Sequence, residues 1–207
     1  MTLENSNSKK KGICSSPNTA RSRYGNNLRI TVAANQGGRK YMEDRVQIET
    51  FRREDGSIRF TFLGVFDGHG GAEASEYVRM HLLNNIMSSD LFDSNDDDEF
   101  LEAIRLGFLM THHMIWKVVP DWPPTASGYP STAGTTVSVA FIKNGKLYTG
   151  HVGDSAIILG KRTCNYSVHN QLVPERLTVD HKPENEEEQT RIRLAGGSVS
   201  ASRIRMV

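Results

Sequence analysis

Apolar and polar positions alternate with a period of two in several short stretches, and each predicts a strand. Leu28, Ile30, Val32 and Ala34 alternate with Arg29, Thr31 and Ala33, so the first strand is expected to begin at Leu28. Val46 and Ile48 alternate with Gln47 and Glu49 in the next. Asp55-Gly56 is a hairpin turn signal, and Ile58, Phe60 and Phe62 carry the return strand up to Phe66. A second hairpin has the same form: a strand over Thr136–Ile142, a turn at Asn144-Gly145, and a return over Leu147–Val152. Ala156–Leu159 and Leu172–Val179 read as two further strands around a polar loop.

Two longer stretches have the helical period instead. Across Ala72–Ser88, Ala74, Tyr77, Val78, Leu82 and Ile86 fall on one face. From about Glu99 to Val118, Phe100, Ile104, Phe108 and Ile115 form a second stripe. His112 and His113 lie on this helix as surface residues, with no Cys or carboxylate partner at helical spacing. The acidic run Asp93–Glu99 reads as a solvated loop and the start of this helix, where carboxylates favour the dipole. It lacks the glycine and the spacing of a calcium loop. A short helix after Pro183 starts with four glutamates and ends with Arg191 and Arg193 before Gly196-Gly197.

Composition narrows the class. The chain has 207 residues, which fits one domain with a tail. Lys plus Arg number 25 against 24 Asp plus Glu, so nothing draws the whole chain to nucleic acid. No apolar run approaches a membrane span, and the N-terminus lacks a signal-peptide core. Cys14 and Cys164 are too few for a disulfide framework and read as free thiols, so an intracellular protein of the nucleus or cytoplasm, monomeric, is expected. Residues 1–27 are polar and basic, and are expected to be a disordered tail. Lys9-Lys10-Lys11 in it is either a nuclear address or, by default, a solvated basic patch.

The chemistry concentrates where strands stop. Phe66 gives way to Asp67-Gly68-His69-Gly70-Gly71: a carboxylate, a carbonyl and an imidazole within three residues. A hairpin returns the chain to its start, so Glu43 and Asp44, before its first strand, should lie beside Asp67, after its second. Like charges held that close cost free energy unless a cation lies between them. All the donors are oxygens, which suits a hard divalent ion. By the same geometry Gly134-Thr135 and Asp154 meet at the open end of the second hairpin. The proline-punctuated loop Pro120–Pro130, with Trp122 and Tyr129, either packs over the core or rims a substrate groove.

Five segments then occur in order: Arg39-Lys40-Tyr41-Met42-Glu43-Asp44, Phe66–Gly71, Gly134-Thr135-Thr136, Gly153-Asp154-Ser155, and Asp180-His181-Lys182-Pro183 followed by Ala195–Val199. This ordered set resembles the metal-dependent serine/threonine protein phosphatases of the 2C type, from Leu28 to about Val199. Asp121-Trp122-Pro123 and Pro130-Ser131-Thr132 resemble in particular the delta-type, DNA-damage-induced subgroup. The resemblance implies an α+β fold, two packed antiparallel β-sheets flanked by α-helices, in a domain spanning 28–207. It implies hydrolysis of phosphoserine and phosphothreonine in phosphoprotein substrates, in stress or DNA-damage signalling, with two Mg2+ or Mn2+ ions. Glu43, Asp67 and the Gly68 carbonyl would be metal ligands, with Asp67 bridging, and Asp154 would serve a further metal position. Asp44 would support the ligands from behind. Arg39 would bind phosphate, and His69 would be the general acid for the leaving alkoxide.

The family's pattern continues past the position of Val207 with two more aspartates that complete the metal pair, so a C-terminally truncated, incomplete domain is expected. Asp180 belongs to a different motif and is not moved into the metal site. Ala156 stands where many members carry arginine. Two functions follow from different classes: a phosphatase, or a catalytically impaired fragment that binds partners through Arg39 and the Trp122 loop.

Overall fold

Two antiparallel hairpins share one sheet, and their open ends point to the same edge of the molecule. The computed structural model describes residues 28–162, 171–200 and 203–206. The expected tail 1–27, with its basic patch and Cys14, lies outside the described residues, as does Cys164.

In chain order the elements are β1 Arg45–Arg52, β2 Ile58–Phe66, β3 Gly68–His69, α1 Glu73–Met87 and α2 Asp97–Val118, then β4 Gly134–Thr135, β5 Val137–Lys143 and β6 Lys146–Val152. They continue with β7 Ile158–Arg162, β8 Leu172–Arg176, α3 Glu186–Leu194, β9 Gly197–Ser200 and β10 Arg203–Met206. The main sheet runs β1-β2-β5-β6, antiparallel throughout. Arg45 pairs with Phe66 and Val137 with Val152, so both hairpins end level with each other just before Asp67 and Gly153.

The helices cover one face of this sheet. Phe60, Phe62 and Phe66 all point to that face, as the period of two requires, and all are fully buried. They meet Val78, Leu82 and Ile86 of α1 and Phe100, Ile104 and Phe108 of α2. Full burial of each such side chain contributes roughly 2 kcal/mol. Phe100 and Phe141 pack edge to face at 5.5 Å. The helices touch where Gly107 of α2 meets Ile86: a Cβ on Gly107 would stand 2.3 Å from Ile86 Cγ1 and 2.7 Å from its Cα. Asp96 caps α2, its carboxylate accepting the Asp98 and Glu99 amides at 2.9 and 3.1 Å. The acidic run is therefore a helix start and not an ion loop.

The opposite face of the sheet presents Ile48, Val65 and Leu147, all exposed. The α+β architecture, with antiparallel sheet and flanking helices, is as expected. Besides this sheet, the described residues form two-stranded ribbons: β3-β4, β7-β8 and β9-β10. One element is corrected. Residues 28–34 form no strand, and Leu28, Ile30 and Val32 are 39–49% exposed. Alternation supplies a face but not a partner, and a strand needs both. No helix among the described residues is long and apolar enough to cross a membrane.

Candidate active site

Asp67 is placed by its backbone. Its carbonyl accepts the Thr136 amide at 2.9 Å and the Thr135 hydroxyl at 3.1 Å, which ties the end of β2 to the start of the second hairpin. The two hairpin ends are thereby one structure, although 68 residues separate Asp67 from Thr135.

Gly68 sits where a side chain has no room. A Cβ there would stand 2.2 Å from the Glu43 carbonyl oxygen and 2.8 Å from Ser75 Oγ. The chain before β1 thus passes directly over Gly68, and Ser75 of α1 donates its hydroxyl to the Glu43 carbonyl. The Glu43 carboxylate turns toward the start of α1, where Oε1 accepts the Gly71 amide at 2.7 Å. A carboxylate at a helix start is also favoured by the macrodipole.

Asp44 is the residue whose carboxyl meets Asp67. Asp67 is exposed, yet partial desolvation by its neighbours pushes its pKa above the ordinary value. The charge of Asp44, the charge of Asp154 and a hydrogen bond with Asp44 push it further, while His69 pulls the other way. Asp67 therefore feels carboxylates from both hairpin ends. Arg45, the next residue, turns away from this group and pairs with Glu76 at 2.7 Å. Glu76 also binds Arg79, and these two guanidinium partners hold its pKa down at about 2.

Asp154 is held at the end of β6. Gly153 is clamped from both sides by His181, which donates its amide to the Gly153 carbonyl at 2.8 Å and accepts the Gly153 amide on Nδ1 at 3.1 Å. Lys182 Nζ lies 3.7 Å from Asp154 and 3.0 Å from Asp180. Asp180 also pairs with Arg176. Sequence reasoning noted the Asp180–Pro183 segment but gave Lys182 and His181 no work. Their contacts cross 28 residues of chain, and only the place of His181 in a recurring motif signalled them.

His69 is exposed on β3, opposite Gly134 in the register. A Cβ on Gly134 would stand 2.5 Å from His69 Nε2, so the glycine gives the imidazole its place. Arg39 follows a turn tied by the Asn35 side chain on the Gly37 amide at 2.7 Å and by Gln36 Nε2 on the Arg39 carbonyl at 2.8 Å. Among the described residues its guanidinium has no hydrogen bond or ion pair. It is exposed and available to an anion. His112 and His113 stay on the surface of α2, with His112 accepting Trp116 Nε1–H at 3.1 Å.

The donors around Asp67 suit a hard cation in kind: three aspartates, Glu43 and the Gly68 carbonyl, without sulfur and with crowded negative charge. Among the described residues no three His, Cys, Asp or Glu side chains converge closely enough to enclose an ion by themselves.

Comparisons with known proteins point to one family. The family model of Protein phosphatase 2C matches residues 28–207. "Probable protein phosphatase 2C 2" of Paramecium tetraurelia is 33% identical over 186 residues, covering 87% of this chain and 56% of the relative. "Probable protein phosphatase 2C 11" of Arabidopsis thaliana is 32% identical over 164 residues, covering 79% of this chain and 38% of the relative. The crystal structure of a serine-threonine phosphatase 2C from Toxoplasma gondii superposes with a TM-score of 0.62 at 30% identity, covering 79% of this chain and 53% of that one. The chain thus spans little more than half the length of the curated Paramecium relatives it matches.

Proposed function

Because this chain belongs to the protein phosphatase 2C family, we propose that it acts on phosphoserine and phosphothreonine in proteins, releasing inorganic phosphate. The observation that carries this reading is the Asp67 carboxyl, crowded by Asp44 and Asp154 beside an exposed His69. Such crowding is relieved by a divalent cation, and the family is metal-dependent. Glu43, Asp67, the Gly68 carbonyl and Asp154 would hold Mg2+ or Mn2+, with Asp44 supporting Asp67 from behind. Bound there, the metal supplies charge neutralisation and an acidified water.

The chain's own residues do the rest. Arg39 offers a planar fork that binds two phosphoryl oxygens at once, and its tied turn limits the entropy lost on binding. The oxygen of water forms its bond to phosphorus as the bond from phosphorus to the serine or threonine oxygen breaks. His69 gives its proton to that departing oxygen. The products are the free hydroxyl side chain and inorganic phosphate. No cysteine nucleophile enters.

The resemblance of Asp121-Trp122-Pro123 and Pro130-Ser131-Thr132 to the delta-type subgroup supports a role in stress or DNA-damage signalling. The same reading has the protein acting as a monomer in the nucleus or cytoplasm, with a polar tail over residues 1–27. A second reading, binding of phosphoproteins through Arg39 without turnover, is favoured by the open arrangement of the carboxylates. Release of phosphate from a phosphothreonine peptide with Mn2+, and its loss on chelation, supports hydrolysis. Saturable peptide binding with no phosphate released supports the second reading.

A further inference from the structure

A cavity of about 460 Å³ opens beside His69, between the first half of α1 and the second half of α2. The two helices touch at Gly107 and Ile86. There the backbones come as close as a missing side chain allows, and the cavity lies on the active-site side of that crossing. Val78 and Leu82 form one wall, Phe108, Ile115 and Trp116 another, and Ala133 lies on the third side with His69. The volume falls in the range of ligand sites, roughly 300–1,000 Å³.

Two of the polar groups on the helix walls are already engaged. Thr111 donates its hydroxyl to the Gly107 carbonyl at 2.7 Å and accepts Asn85 Nδ2–H at 2.8 Å. The Trp116 indole N–H is spent on His112. An occupant therefore meets a mostly apolar lining, with His69, Ser131 and Thr132 on one side of it. Trp116 meets the His112 ring edge to face at 6.2 Å and is still 67% exposed.

Position decides what the occupant is. His69 belongs both to the cavity wall and to the group that protonates the departing oxygen in the reading above, on which this inference rests. Anything in the cavity during reaction is therefore attached to the leaving group, and the leaving group is a peptide. An extended chain advances roughly 3.3–3.6 Å per residue, so the residue beside the phosphorylated one is within reach of the mouth. We propose that this cavity is a specificity subsite that receives a large apolar side chain directly flanking the phosphorylated serine or threonine. Trp116 and Ala133 set its size.

The test is calorimetric titration of the chain, in Mn2+ buffer, with phosphothreonine peptides carrying Leu or Ala on each side of the phosphoresidue. The proposal expects about tenfold tighter binding of a Leu peptide, the order that burial of such a side chain supplies. Ala133→Leu, which fills the cavity, and Trp116→Ala, which removes an exposed wall, should each reduce the preference to under about threefold. Aryl phosphate hydrolysis should be unchanged in both, because that substrate has no flanking residue. Equal binding of Leu and Ala peptides by the unmodified chain overturns the subsite, as does a preference that survives both substitutions. Aryl phosphate turnover without a Leu preference removes the subsite and leaves hydrolysis standing. A Leu preference without turnover removes hydrolysis and leaves a peptide subsite.

Discussion

The Asp67 carboxyl stands against that of Asp44, across the open end of the first hairpin. Partial desolvation of the otherwise exposed Asp67 and the charges of Asp44 and Asp154 together raise its pKa above the ordinary 3.8. A carboxyl whose pKa is raised in the folded state stabilises the fold below the ordinary pKa, and that contribution is lost as pH rises through the folded value. With divalent cations chelated, stability should therefore fall as pH climbs out of the acid range. Asp67→Asn should raise the chelated protein's Tm at neutral pH, measured by thermal melts. A lower Tm for the variant would mean that the carboxylates do not repel.

Gly68→Ala should be destabilising by about 1–3 kcal/mol, because its Cβ would have to displace the Glu43 carbonyl and Ser75. Urea denaturation at fixed cation concentration measures this. Activity should fall as well, since the same displacement moves Glu43 off the Gly71 amide.

Arg39→Ala should lower kcat/KM toward phosphopeptides by about 10- to 100-fold, the size of lost hydrogen bonds to a charged group. Arg39→Lys should recover little of it, because an ammonium cannot make the paired contact. His69→Gln should lower kcat about 10²- to 10⁴-fold while leaving peptide binding within about threefold. Its defect should shrink on aryl phosphates, whose leaving groups need less protonation. Steady-state kinetics on both substrates separates the two residues.

Asp96→Ala should cost about 1 kcal/mol through the lost cap of α2, read from chemical denaturation, with no change in phosphopeptide affinity.

Much of this was legible in the chain. The two hairpins follow from alternation plus Asp55-Gly56 and Asn144-Gly145, signals that are local and depend on few other residues. The helix predicted over Ala72–Ser88 is α1, Glu73–Met87, with the two end residues as its caps. The segment 28–34 was misread because its pattern is that of a strand while its pairing partner is a matter of tertiary structure. At the site, the hairpin argument brought Glu43, Asp44 and Asp67 to one place. It could not tell which of the two acids would face Asp67. That depends on the Gly71 amide, 28 residues from Glu43, which draws the Glu43 carboxylate toward α1. The cavity beside His69 was not legible either, since its walls come from α1, α2 and the segment 131–135, which are far apart in the chain.

The central claim is that the carboxylates around Asp67 form a phosphate-ester hydrolysis site. The direct measurement is phosphate release from a phosphothreonine peptide in Mn2+ by the unmodified chain and by Asp67→Asn, with melts confirming that both are folded. The account predicts release by the unmodified chain and a fall of at least about 100-fold in the variant, the order lost when a group that stabilises transition-state charge is removed. Equal release by the two folded proteins, or none from either, would contradict it.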